Sequence, residues 1–80
     1  MSMKTTAYFD ATRSRTDRVG IRDDWIRRVV RYPEREYRQM HGRIRRWARI
    51  AEMENRYLRV VLLPDGETVH NAFFDLGFKP

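Results

Sequence analysis

The stretch YLRVVLLPDGETVHNAFFD, Tyr57 to Asp75, decides the fold, because it reads as two strands joined by a turn. Tyr57 to Leu63 and Thr68 to Phe74 are rich in β-branched and large apolar residues, which suit a pleated, half-buried surface. Between them lies Pro64-Asp65-Gly66. Proline presets φ at the first turn position, aspartate suits the second, and glycine takes the left-handed conformation that closes a bulged hairpin. A three-residue loop places Leu63 opposite Glu67, and then Val61 opposite Val69, Arg59 opposite Asn71 and Tyr57 opposite Phe73. Alternation puts Leu58, Val60, Leu62, His70, Ala72 and Phe74 on the core side. The other face then carries Arg59 and Asn71 framed by Tyr57 and Phe73.

Working outward, a second hairpin is expected before this one. Arg43-Ile44-Arg45-Arg46-Trp47-Ala48-Arg49-Ile50-Ala51 alternates well enough to be a strand that buries Ile44, Ala48 and Ile50. Arg45, Trp47 and Arg49 point the other way. With the 34–40 segment and a His41-Gly42 turn it makes a second hairpin, and Glu54-Asn55-Arg56 turns the chain into the Tyr57 strand. A helix over Ile44 to Met53 is the alternative, since the apolar residues there also fit a 3.6-residue period.

Ile21, Trp25, Ile26, Val29, Val30 and Tyr32 recur at helical spacing, with Arg27, Arg28 and Arg31 on the opposite side. Asp23 and Asp24 suit the first turn of this helix and pair with Arg27 and Arg28 four residues on. Pro33 ends it. An earlier helix is expected from about Ala11 to Arg18, capped by Asp10 and stopped at Gly20, with Thr6 to Phe9 as an edge strand or an apolar anchor. The expected fold class is α+β: one domain over residues 1–80 in which two N-terminal helices pack on one face of a three- to four-stranded antiparallel sheet.

Eighty residues bury a small core. The absence of cysteine excludes disulfides and thiolate zinc sites. No stretch approaches the ~20 apolar residues of a membrane span, so the expectation is a cytoplasmic protein without a membrane partner. Charge is the most informative global property, at +6, and it is uneven. Arg13 to Arg49 holds 13 arginines and 5 acids, net +8, and the remainder is net −2. Arginine forks bind phosphate bidentately and stack on bases, which points to a polyanion; a solvated arginine-rich surface is the alternative.

If the strands are neighbours, Arg45, Trp47, Arg49, Tyr57, Arg59, Asn71 and Phe73 share one face. Interleaved arginines and aromatics suit single-stranded RNA, whose bases stack and whose phosphates pair with guanidinium groups. Arg49 or Arg59 there could stabilise a phosphorane as a 2′-hydroxyl attacks, with Tyr57 or a histidine moving the proton. The competing reading makes Trp47, Tyr57 and Phe73 a second small core or a homodimer interface with arginines at its rim. His70 with Asp75 is poor spacing for a metal, and no phosphate loop or nucleophile–base set is present, so neither metal nor cofactor is expected.

These residues carry a resemblance. Arg18-x-Gly20-Ile21 before the main helix, Pro33 after it, the strands Arg43 to Trp47 and Tyr57 to Val61, and Thr68 to Asp75 resemble a bacterial family known as domain of unknown function 4258, itself similar to the RelE/ParE and BrnT toxins. The resemblance runs from about Arg18 to Phe78. It implies a RelE-like sheet with two helices, metal-independent mRNA cleavage by basic residues on the sheet, a partner antitoxin, and Arg49, Arg59 and His70 as the catalytic carry-overs.

Overall fold

The computed structural model describes residues 3–80 and contains two helices and a four-stranded antiparallel sheet, an α+β arrangement. Helix α1 is Ala7–Thr12 and α2 is Asp23–Arg31; the strands are β1 Arg35–Arg38, β2 Ile44–Ile50, β3 Arg56–Leu62 and β4 Val69–Phe74. They form a meander in the order β1-β2-β3-β4. Phe9 of α1 and Trp25, Ile26 and Val29 of α2 share one buried cluster with Ile44, Ala48, Ile50, Leu58, Val60, Leu62, Val69 and Ala72. Each fully buried aliphatic side chain contributes about 1.5–3 kcal/mol.

The segment 44–53 is a strand followed by a single 3-10 turn, Ala51–Met53, rather than a helix. Ile44, Ala48 and Ile50 are buried, as the alternation requires. Arg46 occupies the same face and is accommodated because its guanidinium donates to the Val30 carbonyl (2.7 Å), near the C-terminus of α2, and to Glu36 (2.6 Å). Glu54 and Asn55 both take left-handed backbone (φ 57° and 59°) to turn into β3.

The first helix lies earlier than its expected place. Thr6, not Asp10, is the N-cap: its hydroxyl accepts from Phe9 N, and the helix closes at Thr12. Thr6 is held there because the chain before it pairs with the outer edge of β4, with Thr6 N donating to Val69 O and Val69 N to Lys4 O. Asp10 falls in the first turn instead, and Gly20 does not have the left-handed backbone expected of a C′ residue. In α2, Trp25, Ile26 and Val29 are buried, but Tyr32, counted with the apolar side, is 68% exposed. Asp23 pairs with Arg13, Asp24 with Arg22, and Arg28 with Glu52, so a neighbour two residues back and a carboxylate of the 3-10 turn take the place of the expected Asp24–Arg28 pair.

The central hairpin is correct in its strands and wrong in its loop. The Asp65 carboxylate accepts from Glu67 N, Thr68 N and the Thr68 hydroxyl, which draws Glu67 into a four-residue loop closed by Leu63 N donating to Thr68 O. Leu62 then faces Val69, and a bulge after it leaves His70 without a cross-strand partner. Beyond the bulge the pairs are Val61–Asn71, Val60–Ala72, Arg59–Phe73 and Leu58–Phe74. Compared with the expected register, the loop and the bulge each move β4 by one residue. An even total returns Asn71 to Phe74 to their expected faces. Between the two slips the parity is reversed, so Val69 enters the core and His70 leaves it.

Candidate nucleic-acid interface

On the sheet face away from the core cluster, the register builds three rungs: Arg49 beside Tyr57, Trp47 beside Arg59 beside Phe73, and Arg45 beside Val61 beside Asn71. Arg35 and Tyr37 of β1 continue the two latter rungs, opposite Trp47 and Arg45. The seven residues expected on one face are therefore neighbours there. Alternation within each strand dictates this once the pairing is antiparallel throughout.

Arg59 is the centre of the face. Its guanidinium carbon lies 4.4 Å from the Phe73 ring centre and 6.0 Å from that of Trp47, with Nη1 at 3.7 Å from the Asp75 carboxylate. Burial pushes its pKa down and nearby Arg45 adds to this, against the opposing pull of Asp75. Arg18 arrives from the irregular segment between the helices, donates to Asn71 Oδ1 (2.8 Å) and lies 5.1 Å from the same Phe73 ring. Two guanidinium groups thus share one ring. The Nε atoms of both are buried without a hydrogen-bond partner. Arg18 Nε is 3.2 Å from Asp17 Oδ2, close enough to attract but not aligned for a hydrogen bond.

The aromatic groups are not bare. Phe78 folds back over the sheet and stacks on Trp47 (4.8 Å between ring centres, 16° between planes) and against Tyr57 (4.9 Å, 56°). Asp75 Oδ2 accepts from Trp47 Nε1 at 3.0 Å, fixing the indole. Trp47 is consequently 7% exposed. Beside it a shallow depression is lined by Arg35, Tyr37, Arg45, Trp47, Phe78 and Lys79.

Arg49, Arg59 and His70 do not converge. Arg49 is drawn to Glu34, which accepts from its backbone N–H (2.7 Å) and pairs with its side chain (3.3 Å). His70 stacks on Tyr8 (4.9 Å) and its Nδ1 is 3.0 Å from the Thr6 hydroxyl. That hydroxyl also accepts from Phe9 N, so His70 is tied through Thr6 to the N-terminus of α1. Burial pushes the His70 pKa down, and Arg43 adds to it. The face has anion-binding groups and an aromatic stack, but no proton-transfer pair assembled beside Arg59.

Arg18, Asp75 and Phe78 are the site residues that sequence reasoning missed. Arg18, expected at the end of the first helix, lies outside both helices, because α1 closes at Thr12. For Phe78 the only signal was a lone aromatic after Gly77. Among the described residues, no group of three or more His, Asp or Glu is placed to hold a metal ion, and no helix is long and apolar enough to cross a membrane. Comparison with protein-family models, with curated proteins and with solved structures returns no match for this chain.

Proposed function

We propose that the protein binds single-stranded RNA on this sheet face, with Arg18, Arg45 and Arg59 holding phosphates. The observation that carries the reading is the convergence of two guanidinium groups on one ring: Arg18 and Arg59 crowd Phe73, each beside a single carboxylate and each with a buried, unpartnered Nε atom. Arg35, Arg43 and Arg45 form no ion pair among the described residues. Like charges gathered at a surface of low polarity repel one another, and an incoming phosphate offsets that repulsion. The resemblance to RelE-like toxins supports the same partner. Cleavage of the bound RNA, and neutralisation by an antitoxin, are the further steps that resemblance suggests; cleavage would require Arg49, Arg59 and His70, which have separate partners, to be brought together by the substrate.

The competing reading, self-association through Trp47 and Phe73, is weakened by the same geometry. Phe78 already covers Trp47, and two arginines lie over Phe73, so these two rings are not free to bury against a second copy.

Fluorescence anisotropy with a labelled 12-nucleotide RNA, measured across a salt series, tests the proposal. Three phosphate contacts give a log–log slope of about −2, and Arg45→Ala should make it shallower by about 0.7. A slope near zero, or no binding at low salt, contradicts it.

A further inference from the structure

Phe78 is held outside the core, on the opposite face of the sheet. The last backbone pairing of β4's continuation is Asp75 N to Tyr57 O, after which only a turn, Phe78 N to Asp75 O at 3.2 Å, shapes the segment. Leu76 is 82% exposed, and Gly77, Lys79 and Pro80 are exposed as well. Within this exposed segment Phe78 is the half-buried residue, its ring stacked nearly parallel on Trp47 and tilted against Tyr57. A flat ring in near-parallel contact with an indole, bordered by Arg45 and Arg59, has the geometry of a base held between an aromatic platform and phosphate-binding groups.

We infer that the slot over Trp47 and Tyr57 is a nucleobase-stacking subsite, and that Phe78 is its internal occupant. This deepens the RNA-binding reading and rests on it. A base entering the slot displaces Phe78 into solvent and takes over the Trp47 face, while Asp75, bonded to Trp47 Nε1, keeps the indole in orientation. Stacking of a base on an aromatic side chain is comparable in strength to an aromatic pair, so the exchange is near balance in the wild type, and removing the Phe78 ring tips it toward the base.

The test uses two labelled 12-mers, oligo(A) RNA and an abasic phosphodiester of the same length, which presents phosphates without bases. Phe78→Ala should bind oligo(A) about fivefold to tenfold tighter than the wild type, with no gain on the abasic strand. Phe78→Leu keeps an apolar side chain over Trp47; it should show a smaller gain and decides the matter if Phe78→Ala does not fold. Adding Trp47→Leu to either variant should abolish the gain. If the wild type binds oligo(A) with the expected salt slope but neither variant gains affinity, the stacking subsite is overturned while the RNA-binding reading stands. Equal gains on both strands also overturn it, since the benefit would then be one of charge or access to phosphates. Binding of neither strand by any variant overturns both.

Discussion

His70 and Arg59 show how one side chain's surroundings set what it can do. His70 has its pKa lowered by burial first and by Arg43 second, so the folded protein favours the neutral ring. The unfolded chain takes up a proton near the ordinary value of 6.5 while the native state does not, and stability therefore falls as pH drops through that region. Above it the contribution is fully present. Thermal melts between pH 7.5 and 5 should show a falling Tm for the wild type and a flatter profile for His70→Gln, whose amide can hydrogen-bond Thr6 in either direction. Identical profiles would contradict this role. Arg59 is a different case. Desolvation works against its charge, yet the stacks on Phe73 and Trp47 and the nearby Asp75 retain it, as a cation placed where an anion would be bound at little cost of ordering.

At the scale of elements, the β3–β4 hairpin shows what could be read in the sequence and what could not. Alternation of β-branched and aromatic residues was enough to find both strands and to sort Leu58, Val60, Leu62 and Ala72 from Tyr57, Arg59, Asn71 and Phe73. It did not reveal that the Asp65 side chain satisfies two backbone N–H groups and enlarges the loop, nor that a bulge follows at His70. These are tertiary and side-chain effects without a periodic signature. Their slips summed to an even number, so the face assignment survived an incorrect register; His70, between the slips, did not. Arg18 stood at the end of a helix that in fact closes at Thr12, Phe78 lay in a segment with no period, and the arrival of both on the sheet follows only from packing. The loop carries its own pH signature. Three hydrogen bonds, led by that from the Thr68 hydroxyl, pull the Asp65 pKa down to about 2, and Arg28 does the same for Glu52. Both carboxylates are charged in the native state where the unfolded chain is already protonating, so stability is held above their ordinary values near 4 and lost as pH falls from there toward 2. Asp65→Ala should lower the neutral-pH Tm and reduce its acid-limb slope. An unchanged acid limb would show that the loop is not organised by this carboxylate.

For the molecule as a whole, folding turns a block of sequence charge into a distribution over surfaces. Much of the Arg13–Arg49 block is answered locally, by Asp23, Asp24, Glu34, Glu36 and Glu52, which removes those arginines from any long-range field. The arginines left without carboxylates include Arg35 and Arg45, both on the face that also holds Arg59 and receives Arg18. Charge and aromatic stacking thus coincide on one side of the sheet, while the other side is devoted to the core. The most direct measurement is an NMR titration of the ¹⁵N-labelled protein with the 12-nucleotide RNA, following the arginine Nε–Hε and tryptophan Nε1–Hε1 signals. Shifts concentrated at Arg18, Arg45, Arg59 and Trp47, with Trp25 in the core unmoved, are the expected result. Shifts confined to the exposed arginines of α2, or none at all, would contradict the assignment of this face.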